Sequence, residues 1–364
     1  MNQKVDFKNV IKMAGAFAAY LIGSGFATGQ ETLQFFASYG IQGLWGVLII
    51  AILFAIFGFV VMVKGHQLQL ALPSQIFHYY TGPVLGRLIE FFTLIFVVGI
   101  VVIMISGSGA LVEEHFKLPS EVGFIGMGVL CALTVLLGLN RLVDIIGAIG
   151  PVIVVFTVVI GGWIFFRDLS LLGEQPIYDV MPDKAYEIRP AANVFISAIL
   201  FFSYNILAGA VFYTQLGKEA NSAKEAGIAG VLGGLALAVA VLFMVISMLS
   251  NYELIIGTQV PNLLLGNTIS PVVAFLFAIV IMLGVYSTAA PMYWLVKNEL
   301  MRFLPNSVDK LTTIILGVLF MAGGSLPFGT LIGTIYPFAG YIGMAVVLAI
   351  LSRTVYNKAT IGHI

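Results

Sequence analysis

The sequence predicts an all-α integral membrane protein, with ten transmembrane helices arranged as a five-plus-five inverted repeat in which helices 1 and 6 are broken. Composition, the length of the apolar runs and the placement of the cationic residues carry that prediction. Of 364 residues, 60% are hydrophobic and 9% charged, where a soluble domain carries roughly 25% charged residues. No soluble fold could cover so much apolar surface. The apolar residues run in blocks of about 20 instead of alternating, which suits helices crossing a hydrocarbon core of about 30 Å and not a porin-like barrel.

Runs bounded by Pro, Asn, Gly and charge clusters place the spans at 8–38, 41–64, 84–112, 121–139, 142–166, 190–217, 223–249, 270–298, 309–324 and 328–352. The longest polar stretch, 167–189, divides the chain into a first repeat at 1–166, an extracellular connecting loop at 167–189, and a second repeat with a cytoplasmic tail at 190–364. With both termini in the cytoplasm, 13 of the 17 Lys and Arg residues fall inside, and Lys117, Arg167, Lys184 and Arg189 outside. That asymmetry orients a multi-pass protein of the cell membrane. Five spans on each side of the seam mean that the second half starts from the opposite side, as an inverted repeat does. The halves echo each other weakly: Gly23-Ser24-Gly25 and Ser203-Tyr204-Asn205 interrupt their first spans, and Pro151 and Pro337 lie in their fifth.

Lys4, Lys8 and Lys12 precede the first apolar stretch in the manner of a signal peptide, but that stretch runs on through Gln30 and Glu31 without a small-residue cleavage site, so it is expected to be retained as the first helix. The lone Cys131 falls mid-span, as a packing residue. Zero net charge gives no reason to expect nucleic acid, and no protein partner is predicted; the partners expected are the lipid bilayer and a small-molecule solute. A Gly-x-x-x-x-Gly-Lys-Ser/Thr loop is absent, which argues against ATP-driven transport by this chain. His66, His78, His115 and His363 are scattered without metal-ligand spacing, and no nucleophile and base share a depth, so an enzyme is the weakest reading.

The polar chemistry concentrates in three spans. In the first, Gly23, Ser24, Gly25, Thr28, Gln30 and Glu31 fall where lipid tails would lie. A Gly costs about 1 kcal/mol relative to Ala in a helix, and broken backbone is tolerated at that depth only when it is buried in protein or lines a cavity. The freed N–H and C=O groups can then take a carboxylate on one side and a cation or ammonium on the other. The alternative is a small-residue packing face through Gly25 and Gly29. In the sixth span, Phe202, Ser203, Tyr204 and Asn205 pair an amide that can bond freed backbone with rings that can close over an apolar substrate; simple interhelical contact is the competing reading. In the eighth, Gly284, Ser287 and Thr288 offer oxygens for sodium, unless the hydroxyls only bond back to the preceding turn. Glu31 is either a proton carrier, with Gln30 beside it, or a brace for the broken segment. Glu90 with Arg87, and Asp144 with Arg141, read as interfacial pairs.

Together the Gly23-Ser24-Gly25 turn, the aromatic-rich sixth span, the Ser287-Thr288 doublet and the five-plus-five layout resemble the amino acid–polyamine–organocation superfamily with the LeuT fold. The segment from Gly23 to Glu31 is similar to that of the YkvI-type amino-acid permeases. The resemblance implies a bundle of helices 1, 2, 6 and 7 rocking against a scaffold of 3, 4, 8 and 9, with 5 and 10 as gates. It further implies a substrate carboxylate at the amides around Ser24 and Gly25, an aromatic lid near Phe202 and Tyr204, and sodium held between carbonyls near Ala19 and Ile22 and the oxygens of Gly284, Ser287 and Thr288. Glu31 lies outside the superfamily's shared core. The expected function is therefore sodium-coupled symport of a small neutral amino acid or related zwitterion, with no cofactor besides the ion. A proton-coupled carrier using Glu31 and a non-transporting receptor of the same fold are the alternatives.

Overall fold

Hydrophobicity all round a segment, with polar caps at its ends, makes a membrane helix, and the computed structural model is built from such segments. It describes residues 5–22, 24–137, 143–173 and 188–361. Among them, nine stretches are long and apolar enough to cross a membrane: 37–68, 75–116, 120–137, 152–172, 194–218, 223–250, 271–301, 306–324 and 328–354. They fall on the expected second to tenth spans, and the protein is a multi-pass membrane protein with all of its described secondary structure helical.

The expected first span consists of three pieces: α1 (Phe7–Leu21), a single turn α2 (Ser24–Thr28) and α3 (Gln30–Phe35). A 3₁₀ stretch at Ala37–Gln42 leads into α4 (Gly43–Leu68). Then come α5 (Gln75–Phe116), bent at Gly82-Pro83, α6 (Ser120–Leu137) and α7 (Val143–Asp168). The second half comprises α8 (Val194–Lys218), α9 (Ala223–Ser250), short α10 (Tyr252–Ile255) and α11 (Pro261–Asn267), α12 (Pro271–Met301), α13 (Asp309–Gly324) and α14 (Phe328–Ile361). Asp6, Asn193, Ser222 and Ser270 cap α1, α8, α9 and α12, each accepting a backbone N–H of the first turn.

Two expectations need correction. The sixth span is not broken: α8 is one continuous helix. Ser203-Tyr204-Asn205 contains no Gly or Pro, and the Asn205 amide donates to Phe201 O four residues back (2.9 Å), so its polarity is absorbed within the helix. Glu90 pairs with His78 across the Gly82 bend (3.0 Å) and not with Arg87. The Arg141–Asp144 pair lies outside the described side chains.

Helices with small residues at their contacts approach backbone to backbone. Gly58 of α4 packs on Gly230 of α9, while Gly65 of α4 packs on Thr214 and Gly217 of α8 on Met62. One group of helices is thus α1, α4, α8 and α9; a second is α5, α6, α12 and α13. α7 contacts α9 and α12, and α14 contacts α8 and α5, so both bridge the groups. Polar contacts define two faces. Asp6 N with Glu225 (3.1 Å) and Lys218 with Leu70 O (2.8 Å) lie at the first. Arg189 with Ser38 O (2.9 Å), Asn251 with Asp168 (2.9 Å) and Glu114 with Gln259 N (2.6 Å) lie at the second.

Candidate functional site

The interrupted first span creates the site. α1 ends at Leu21, with Ile22 N bonded to Ala18 O (2.8 Å), so the next carbonyls lack the amides that a continuous helix would supply. α2 lasts one turn before Gly29, whose φ of +87° reverses the chain. A side chain there would be strained, and a β-carbon would lie against the Asn262 amide. Two side chains take up the carbonyls of the break. Thr28 Oγ1 donates to Gly25 O (2.6 Å), and Nδ2 of the fully buried Asn262, on α11, donates to Phe26 O (3.2 Å) and Ala27 O (3.0 Å).

Restarting at Gln30 places Glu31 in the first turn of α3 and turns its side chain back onto α2. A β-carbon at Gly25 would collide with Glu31 Oε1, with Tyr336 Oη 3.4 Å away. The other carboxyl oxygen accepts from Tyr204 Oη at 2.6 Å. Tyr204 stacks on Tyr336, ring centroids 4.6 Å apart, and Phe96 stands edge-on to both. No ion pair to Glu31 occurs among the described residues, although the side chain is buried.

Glu31 sits at one end of a cavity of about 490 Å³, within the usual range for small-molecule sites. Of the residues singled out from sequence, Ala19, Ile22, Gly25, Glu31, Tyr204, Asn205, Ser287 and Thr288 all line it. Phe96, Ile100, Met104, Ile153, Phe212 and Met292 supply apolar wall, and no Lys, Arg or His is among its described lining. α1 rises from the first face while α8 and α12 descend to it, so Ala16, Ala208, Phe212 and Pro291 carry the cavity from Glu31 toward that face. There Tyr20, 37% exposed, stacks on Phe212 (4.5 Å) and donates to Ala208 O (2.9 Å).

The remaining sequence-derived candidates stand elsewhere. Gly23 and the Ser24 side chain lie outside the described residues. Thr28 is spent on the α2 turn. Phe202 is buried between Phe54 and Phe57, ring centroids 4.9 Å from each, and does not reach the cavity. Ser203 packs toward α14 at Gly343. Gly284 accepts from Ser287 Oγ (2.9 Å) without lining the cavity. Gln30 faces the other way: with Gln34, Arg189, Gln259 and Thr330 it lines a separate recess of about 310 Å³ at the second face. α3 is therefore the partition, with Glu31 on one side and Gln30 and Gln34 on the other. Gln34 Nε2 ties it to α14 at Gly329 O (2.7 Å). Sequence reasoning missed Asn262, which follows Pro261 in a stretch read as loop, and Tyr336, which adjoins the flagged Pro337.

No protein-family model matches the chain. It is 21% identical over 343 residues to YkvI, an uncharacterized membrane protein of Bacillus subtilis (strain 168), covering 94% of this chain and 95% of that protein. It is 25% identical over 347 residues to the uncharacterized protein YyaD of the same organism, covering 93% and 95%. Among solved structures, a mutant of the Eremococcus coleocola manganese transporter matches with a TM-score of 0.55 at 15% identity, over 96% of this chain and 80% of that one. The same transporter in complex with an aromatic bis-isothiourea substituted compound matches with a TM-score of 0.53 at 14% identity, over 96% and 81%. The chain therefore has the fold of a membrane transporter.

Proposed function

We propose that this protein is a secondary transporter that carries a small organic ammonium compound by alternating access, in the manner of the amino-acid carriers its sequence resembles. The observation that carries the reading is a buried Glu31 in a cavity whose further lining, at Ala16, Ala208, Phe212 and Pro291, leads toward the first face. Taking an ionised carboxylate out of water costs several kcal/mol, and one hydroxyl bond returns about 1.5–3 kcal/mol. A bound cation or proton offsets the remainder. The two helix groups bridged by α7 and α14 support rocking of the first against the second, with α3 and its Gln34 tie as the partition that yields. With the termini in the cytoplasm, the state seen is inward-facing.

The coupling ion expected from the sequence is sodium, at Ala19, Ile22, Gly284, Ser287 and Thr288. Four of these five surround the same cavity as Glu31, which supports that site. A proton on Glu31 is the second reading, favoured by the bond to Tyr204 with no countercharge beside it. The manganese in the name of the similar transporter is not adopted. Among the described residues no group of three or more His, Cys, Asp or Glu could hold a metal ion, and the cavity wall is largely apolar. Ligand-induced thermal stabilisation of purified protein in sodium or potassium, at two pH values, tests the coupling. The sodium site predicts that sodium deepens the ligand shift and that Ser287→Ala removes this effect; a shift that ignores sodium but follows pH assigns coupling to the acid.

A further inference from the structure

The carboxylate of a bound amino acid is best held by a cationic side chain, and the described lining of the cavity offers none where the protein's own acid lies. Glu31 Oε1 lies close enough over Gly25 that a β-carbon there would collide with it, so a carboxylate belonging to the protein already stands over this backbone. No Lys, Arg or His among the described lining could balance a second one. Two carboxylates at that point would repel each other.

The same surroundings suit an ammonium group. Glu31 offers it charge, and the aromatic side chains of Tyr204, Tyr336 and Phe96 line the same cavity, rings of the kind that attract cations. Beyond them Ile100, Ile153 and Met292 provide an apolar wall without a second charge. We infer that the cavity selects small organic monoamines, an ammonium on an apolar body without a carboxylate, instead of the amino acids that carry the same body. The inference rests on the cavity being the transport site proposed above, and it names that site's substrate class.

Matched pairs that differ only by the carboxylate decide it: 2-phenylethylamine against phenylalanine, and isoamylamine against leucine. Each is added to the purified full-length protein and the unfolding temperature is followed across a concentration series. The amines are expected to stabilise the protein and their amino acids to do so with roughly tenfold weaker apparent affinity or worse, a difference of about 1.4 kcal/mol. Glu31→Gln is expected to abolish the amine shift, and Glu31→Asp, which keeps the charge on a shorter arm, to restore part of it. Equal or stronger stabilisation by the amino acids overturns the inference, as does the absence of any amine shift at tens of millimolar, or an undiminished shift in folded Glu31→Gln. Counterflow in sealed vesicles separates this from the transport reading: an amine that stabilises but never crosses defeats transport and leaves the assignment of the site intact.

Discussion

Glu31 and Tyr204, 173 positions apart in the chain, meet through a 2.6 Å hydrogen bond from the phenol to the carboxyl group. The bond joins the restarted first span to α8 at the closed end of the cavity. It holds Glu31 while leaving its charge unmatched.

Removing the phenol oxygen tests that bond without disturbing the ring. Tyr204→Phe keeps the stack on Tyr336 and leaves one Glu31 oxygen without its donor, a loss of about 1–3 kcal/mol for a buried group. Ligand affinity should fall roughly tenfold, read by titration of the thermal shift. An unchanged affinity would remove Tyr204 from the positioning of the acid.

The turn at Gly29 and its clasp by Asn262 should behave as one structural unit. Asn262→Ala removes the donor to Ala27 O and leaves Phe26 O with the Gly29 amide alone (3.0 Å), at about 1–3 kcal/mol for the group left unpaired. Gly29→Ala adds both backbone strain at φ +87° and a collision with the Asn262 amide. Both variants should unfold at lower temperature than the parent, and the double variant Gly29→Ala with Asn262→Ala should lose less than the two single losses added together. Strict additivity would mean that the two residues do not interact.

Phe202 separates packing from recognition. It fills the space between Phe54 and Phe57 at the α4–α8 contact, so Phe202→Ala should cost about 3–5 kcal/mol of stability while leaving ligand affinity nearly unchanged. Weaker binding out of proportion to the lost stability would return Phe202 to the aromatic lid expected from the sequence.

Accessibility reports the direction in which the cavity opens. Cys131, the single cysteine of the chain, is buried, so its replacement gives a clean background for single-cysteine probes. A cysteine at Ser287 should react with a membrane-impermeant thiol reagent supplied at the first face, and one at Thr334 with reagent at the second. Labelling at Ser287 from the second face alone would contradict the assignment of α3 as the closed partition.

Much of the fold was legible because membrane helices announce themselves by length and apolarity: the nine long stretches fall on the expected second to tenth spans. The interruption of the first span was legible for the same reason, since three glycines and an acid at that depth have few other uses. The sixth span misled because polarity and helix breaking are separable. Asn205 satisfies its amide within the helix, and Ser203-Tyr204-Asn205, without Gly or Pro, has no local cause to break. At the site, chain periodicity placed Glu31, Tyr204, Ser287 and Thr288 in their spans but could not rotate those helices about their axes. That is why Phe202, one residue from Ser203 and two from Tyr204, faces α4 instead of the cavity. Asn262 and Tyr336 act across more than 130 positions of sequence on α2 and α8, and no local pattern reveals such contacts.

Flux through sealed proteoliposomes, with protein of known orientation and an imposed sodium or proton gradient, tests the central claim most directly. The account predicts that the amine that stabilises the purified protein accumulates above its equilibrium level, that accumulation collapses when the gradient is dissipated, and that Glu31→Gln abolishes it. Saturable binding with no gradient-driven accumulation under either ion would contradict it and make the protein a receptor built on a transporter's fold.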